Sequence, residues 1–535
     1  MATRPDRGAA AARQRALTRR TFLGASMTVA GATTLRPTTA AAAARWQGKD
    51  PFRLGIASGD PTSTGVVIWT KLAVDALAED GAGAMPSQPI PVEWQISSDP
   101  RFQQVARSGT EIASPESAHS LHVELDHLVP GREYFYRFKV GRHVSETGRT
   151  LTMPSPGDSR PLHMISLSCS NFDAGYFTGY RHAAAEQPDL VFGLGDYIYE
   201  HGALPGRVRV HTGSTCLTLA DYRRRHALYK NEAETQELHQ AAPWIVTWDD
   251  HEVANNWAGI HPQDGVPSEA FMQRRTAAFQ AYYENMPLRR TSRPRGTELQ
   301  LFRRFQWGDL ATFHVLDARQ YRDLQPCHDG RTWAFSDCPE RDDPSRSLTG
   351  KAQEKWLLDG FASSEATWQV MPQGDFFAQI DLTTGPLQTL GTDGWDGYRV
   401  NRNAIRDGWV ERGVKNAVVL SGDAHRHFAN EIKADFDDPR SATVGVELVT
   451  TSVTSGGDGT DQPSDREGML AENEHIKYLA DRRGYISMTL DRDQMRADFK
   501  TMPYVSTPGA PISTDRSYII PAGEPGLNRV GAGSP

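Results

Sequence analysis

The sequence predicts an α/β protein in two parts. A small β module is expected over 50–153, a large α/β domain over 162–505, and a C-terminal tail over 506–535. Three observations carry this reading. Apolar and polar residues alternate between Phe52 and Met153, with turn residues between the runs. From Leu162 onward, short apolar strand-like runs are interleaved with helical segments, and several runs end in Asp, His, Cys or Tyr. With 535 residues, the chain is long enough to form more than one core.

Residues 1–44 read as an export signal rather than as fold. Arg4, Arg7, Arg13, Arg15, Arg19 and Arg20 precede a weakly apolar run and an alanine-rich cleavage region. Thr18-Arg19-Arg20-Thr21-Phe22-Leu23 has the form of a twin-arginine signal. The expected partner is therefore the Tat export machinery, and the expected destination is the periplasm or the extracellular space. An ordinary secretory signal and a disordered basic tail are the alternatives. Export in the folded state would allow a metal to be loaded in the cytoplasm. The net charge of −8 argues against a nucleic-acid partner. No other apolar run is long enough to predict a transmembrane helix.

In the β module, Val66 to Trp69 follows a turn. Val92, Trp94 and Ile96 share one face of the run from Pro91 to Ser97. Ser120 to Leu128 and Glu133 to Val140 alternate again and are joined through Pro130-Gly131. This spacing suggests a small sandwich with a packing or positioning role. The segment LVPGREYFYRFKV resembles the penultimate strands of a fibronectin type III domain. PSPGDSRP, from Pro154 to Pro161, reads as a linker.

In the large domain, strands are expected over His163 to Leu167, Leu190 to Phe192, Trp244 to Thr247 and Val418 to Leu420. Each runs into a polar cluster: Ser168-Cys169-Ser170-Asn171, Gly195-Asp196-Tyr197-Ile198-Tyr199-Glu200, Trp248-Asp249-Asp250-His251-Glu252 and Gly422-Asp423-Ala424-His425. Helices are expected over Gly175 to Glu186, Leu219 to Asn231, Ser268 to Tyr283 and Thr349 to Ser363. A hairpin turns at Gly308-Asp309, and late strands follow over Thr443 to Thr450, Gly484 to Leu490 and Met495 to Thr501. The stretch after Pro508 reads as loop.

Four strand ends that carry such residues point to one metal site, because α/β folds gather their sites at carboxyl ends of strands. Carboxylates and imidazoles from several ends can hold two cations, with one carboxylate bridging. Asp196 is the candidate bridge, because the preceding glycine and strand fix it tightly. Two such cations lower the pKa of a bound water to about 7 and neutralise phosphoryl oxygens.

GDxxY at Gly195 to Tyr199 resembles the metal-binding signature of purple acid phosphatases. WDDHE at Trp248 to Glu252 and GDAH at Gly422 to His425, together with SCSN, depart from those enzymes. They resemble the PhoD-like alkaline phosphatase and phosphodiesterase family, as do DARQYRD at Asp317 to Asp323 and DGWDGY at Asp393 to Tyr398. The resemblance implies a calcineurin-like metallophosphoesterase fold, two packed sheets flanked by helices, preceded by the β module. It implies a ferric ion (Fe3+) held by Cys169, Asp196 and Tyr199, beside calcium (Ca2+) served by Asp196, Asp250, Asp423 and His425. Thiolate and phenolate suit trivalent iron and carboxylates suit calcium, whereas an imidazole on calcium would be unusual.

The catalytic candidates are His251, Arg181 and Asn171. His251 could protonate a leaving group or contact phosphate, or it could be a ligand or a structural histidine. Arg181 could bind phosphate or stand as an exposed helix arginine. Asn171 could contact phosphate or metal, or serve a turn. Asn255 and Asn256 position substrate or cap a turn, Asp317 and Arg319 form an ion pair, support the ligands from behind or clamp phosphate, and His427 supports the site from behind. Of the four cysteines, Cys327 and Cys338 are expected to pair, a link worth ~2–3 kcal/mol. Cys169 either ligates iron or pairs with Cys216; its motif position and folded export favour the thiolate.

The expected function is a secreted metal-dependent phosphoesterase that hydrolyses small organic phosphate esters by hydroxide attack on phosphorus. The alternatives are a phospholipase D-type phosphodiesterase acting on phospholipid headgroups and, in another class, a non-catalytic cell-surface binding protein. The HExxH motif of zinc proteases does not occur.

Overall fold

Residues 46–263, 267–328 and 333–531 are described by the structure, a computed structural model. The export signal expected over 1–44 lies outside the described residues. Leu162–Leu167, Leu190–Leu194 and Trp244–Thr247 are parallel neighbours at the centre of a first large sheet. Arg483–Leu490, Gln494–Met502 and Ser513–Pro521 extend it antiparallel on one side. In the second large sheet, Ala311–Val315, Trp368–Pro372, Ala417–Ser421 and Thr443–Val449 are parallel neighbours.

The pleat sorts the side chains into layers. Met164, Leu190, Phe192 and Ile245 of the first sheet meet Phe313, Val370, Val418, Leu420 and Val446 of the second in a shared core. The alternate residues Ile165, Leu167, Val191 and Val246 face the other way. They pack against Tyr180, Tyr222, Leu238 and Phe279 of the helices Thr178–Ala185, Leu219–Lys230, Ala233–Ala241 and Ser268–Asn285. Val419 and Met371 of the second sheet pack beneath Gly350–Ser363 and Arg399–Glu411. The result is the expected two-sheet sandwich flanked by helices. Parallel strands require crossovers, so their carboxyl ends lie along one edge, and that edge carries the polar clusters.

The β module does not close on itself. Ile90–Ser97, Val105–Ala113 and Glu133–Val140 form one face. The other face, Ile56–Gly59, Val66–Lys71 and Ser120–Leu125, continues into the first large sheet through the parallel pair Gly59 and Trp244. The module and the large domain thus share a sheet.

One expectation is corrected. The stretch after Pro508 is not all loop: Ser513–Pro521 is a sheet strand with Tyr518 and Ile520 buried in the inter-sheet core. Glycine and proline on both sides of it masked a short alternating run.

Candidate metal centre

The polar clusters sit on tight backbone. Cys169, Asp196, Asp423 and His425 all adopt left-handed φ, at 57°, 53°, 59° and 55°. Non-glycine residues pay about 1–3 kcal/mol each for such strain, and it gathers at functional sites. The glycines beside them let the loops touch. A Cβ on Gly195, whose φ is 105°, would lie 2.5 Å from the Asp249 Cβ, and one on Gly422 would lie 2.3 Å from the Ser168 Oγ.

Three overlapping groups of ligand atoms result, each with its atoms within 4.8 Å of one another: Cys169, Asp196 and His425; Asp196, Asp250 and His251; and Asp249, Asp250 and Asp423. Asp196 belongs to the first two groups and Asp250 to the last two, so carboxylates link the chain of groups. The Tyr199 hydroxyl donates to the Asp196 Oδ2 at 2.8 Å and lies 3.1 Å from the His425 Nε2. The His251 ring lies tilted against Tyr199, with 4.0 Å between ring centroids, and its Nδ1 is 2.7 Å from the Glu200 Oε2.

Two residues hold this arrangement from outside. The buried Glu252 carboxylate accepts from the backbone N–H of Asp196 at 3.0 Å, Tyr197 at 2.6 Å and Asp249 at 2.9 Å. It therefore fastens the Asp196 turn to the Asp249 turn. The fully buried Arg319 guanidinium pairs with Asp249 at 2.6 Å, Asp375 at 3.2 Å and Asp393 at 2.9 Å.

Charge is crowded here. Burial and Asp250 raise Asp196 well above the usual carboxylate range. Burial, Asp375 and Asp250 raise Asp423 to about 7, and burial raises Glu252 to about 7 despite its N–H donors. Burial and Asp196 push both the Cys169 thiol and the Tyr199 phenol well up. Against its own burial, Asp250, Glu200 and Asp196 push His251 well up, while burial holds His425 down at about 4. The Asp249 Oδ2 and the Asp250 Oδ1 are buried without a hydrogen-bond partner. Unpaired buried carboxylate oxygens beside a thiol, a phenol and imidazoles fit a cation, which would replace the protons these groups otherwise retain.

The sequence candidates converge with few exceptions. Cys169, Asp196, Tyr199, Asp250, His251, Asp423 and His425 lie together. His425 groups with Cys169 and Asp196, whereas Asp423 groups with Asp249 and Asp250. Arg181 is corrected. Its guanidinium is half exposed and pairs with Glu234 at 2.9 Å and Glu237 at 3.2 Å on the neighbouring helix, because it lies on the outer face of Thr178–Ala185.

Asn171 caps the Phe172–Ala174 turn by accepting from the Asp173 N–H at 3.2 Å, and its Nδ2 is 3.4 Å from the His201 Nε2. The Asn255 side chain bonds Gln263 rather than the cluster, whereas the Asn256 N–H donates to the Asp250 Oδ2 at 2.7 Å. His427 lies in the strand His427–Lys433, between the Lys500 carbonyl and the Thr451 N–H. Asp317 accepts from the Trp248 Nε1 at 2.9 Å instead of pairing with the Arg319 guanidinium. Cys327 and Cys338 form the expected disulfide, and Cys169 and Cys216 are both free. Asp249, Glu200 and Glu252 sit within the strand-end clusters but carry no role by pattern alone, and Asp375 lies in no motif.

Two packed sheets between helices, with carboxylates, imidazoles, a thiol and a phenol gathered at the strand ends, define the metallophosphoesterase class of fold. Comparison with known proteins narrows this. A family profile described as PhoD-like phosphatase matches residues 164–499, and one described as the PhoD-like phosphatase N-terminal domain matches 38–154. The chain belongs to the PhoD-like phosphatase family. It is 46% identical to alkaline phosphatase D of Bacillus subtilis (strain 168) over 486 residues, covering 90% of this chain and 82% of that protein. A solved structure described as PhoD superposes with a TM-score of 0.88 at 44% identity, over 91% of this chain and 94% of that one. A purple acid phosphatase from yellow lupin seeds shares the fold, with a TM-score of 0.51 at 13% identity, over 88% of this chain and 74% of that one.

Proposed function

We propose that this chain is a metal-dependent phosphoesterase that hydrolyses small organic phosphate esters. The observation that carries the proposal is the linked series of carboxylates, with Asp196 and Asp250 each shared between two ligand groups. Cys169, Asp196, Tyr199 and His425 would hold a ferric ion, and Asp196, Asp249, Asp250 and Asp423 would hold calcium. These ions would supply positive charge to the phosphoryl oxygens and lower the pKa of the attacking water.

The remaining roles belong to side chains. Glu200 fixes the His251 ring through Nδ1, which leaves Nε2 to give a proton to the departing ester oxygen. Asn171 offers its amide N–H to a phosphoryl oxygen once the long contact to His201 is exchanged. Glu252 and Arg319 keep the carboxylates from spreading apart under their own repulsion.

The reading includes export by the Tat pathway, on the strength of the motif at Thr18 to Leu23. Among the described residues, no helix is long and apolar enough to cross a membrane. A second reading, hydrolysis of phospholipid headgroups, draws on the loop that follows Glu200 and His201. Leu204, Val208, Val210 and Leu217 are exposed there, as an apolar lipid contact would require.

The test is a panel comparing a phosphomonoester, a phosphodiester and phosphatidylcholine, each with and without chelator and added calcium. Chelator-sensitive hydrolysis of the soluble esters is expected. Preference for phosphatidylcholine would select the second reading, and full hydrolysis of metal-stripped protein would overturn both.

A further inference from the structure

A second group of ligand-type side chains lies outside the centre described above. Asp173, His201 and His211 bring one carboxylate oxygen and one nitrogen of each ring within 4.8 Å of one another. They share no residue with the three groups of the main centre. Asp173 sits in the turn Phe172–Ala174, and its side chain is fully buried. Both of its carboxylate oxygens lack a hydrogen-bond partner. A buried carboxylate with two unused oxygens is costly unless a cation or ordered water meets it.

We propose that Asp173, His201 and His211 form a separate site for a divalent transition metal of the zinc type. Two imidazoles and one carboxylate are a donor set suited to zinc and unsuited to calcium, which wants oxygen. The Tyr229 hydroxyl lies 3.1 Å from the His211 Nε2, an outer contact of the kind that orients a ligating imidazole. Arg207 stands 3.7 Å from the Asp173 Oδ2 without a hydrogen bond, and its side chain is 41% exposed. It is a counter-ion that can move into solvent when a metal takes the carboxylate. Arg225 is nearby but is fastened to the carbonyls of Tyr199 and His201.

The position suggests the role. Between His201 and Thr218 the chain forms no helix or strand, and His211 lies midway along that loop. A metal there staples the loop to the turn just after Cys169, and so fixes the wall beside Asn171. The site is structural, and it stands whether or not the main centre is catalytic.

The test is zinc content of the full-length protein after dialysis against zinc, for wild type, Asp196→Asn, His211→Ala and Asp173→Asn. Wild type should hold one more equivalent than His211→Ala and Asp173→Asn. In the Asp196→Asn background, adding His211→Ala should again remove one equivalent. Protease cleavage within 202–217 should quicken in both ligand variants. If His211→Ala fails to fold, the near-isosteric Asp173→Asn decides. Equal zinc content in wild type and Asp173→Asn would overturn the site and leave ordered water as the occupant of the carboxylate.

Discussion

Glu252 offers the sharpest perturbation, because its side chain contacts backbone rather than any ligand atom. Its two oxygens take three N–H donors at 2.6 to 3.0 Å from two separate loops. Replacing it with alanine strands all three in a buried setting. At about 1–3 kcal/mol for each unsatisfied group, the gross cost is about 3–9 kcal/mol. Relaxation of the loops and entry of water bring the expected loss to about 3–5 kcal/mol. Glutamine keeps one acceptor oxygen for the Asp196 and Asp249 donors and turns an NH2 toward Tyr197, so about 1–3 kcal/mol is expected.

The functional effect should exceed the stability effect, because Asp196 and Asp249 belong to different ligand groups and their spacing depends on this clamp. The assay is denaturant unfolding together with metal titration and hydrolysis of a phosphomonoester. Both variants should bind metal more weakly than wild type, with alanine the worse. An alanine variant within about 0.5 kcal/mol of wild type and with unchanged metal affinity would refute the reasoning.

Further predictions rest on other contacts. Arg319→Met leaves Asp249 and Asp375 without their buried counter-ion and should cost about 3–5 kcal/mol by chemical unfolding. In metal-free protein, Asp423 is held up at about 7 against an unfolded value near 3.8. The folded state thus binds a proton that the unfolded state lacks between these values, so stability should fall as pH rises from about 4 through 7. By the same linkage, metal uptake at pH 6 should release a proton that uptake at pH 9 does not, readable by calorimetry in buffers of different ionisation enthalpy. Denatured, unreduced protein should show two free thiols, from Cys169 and Cys216, and reduction of Cys327–Cys338 should lower stability by about 2–3 kcal/mol.

The ligand candidates were legible because each lies in the turn that follows an apolar strand, and the strand end holds that turn in place. Cys169, Asp196, Asp250, Asp423 and His425 could therefore be found from pattern alone. Arg181 could not be placed, because a short helix gives no sign of which face meets the sheet, and its partners on Ala233–Ala241 come from a helix the sequence reading did not find. Glu252 reaches the distant Asp196 turn through backbone N–H groups, and Arg319 reaches Asp375, which sits in no motif. The sharing of a sheet by the β module and the large domain was hidden too, since it depends on a single parallel pairing at Gly59. The grouping of His425 with Cys169 and Asp196 needed coordinates, because its spacing from Asp423 does not set it.

The central claim is that Asp196 links the metal sites on which phosphoester hydrolysis depends. The most direct measurement is metal content per chain and phosphomonoester turnover, made on the same preparations of wild type and Asp196→Asn. Wild type should carry stoichiometric iron and calcium and lose turnover on chelation, and Asp196→Asn should lose metal and turnover together while remaining folded. A folded Asp196→Asn protein that keeps full turnover, or a metal-free wild type that does so, would contradict the account.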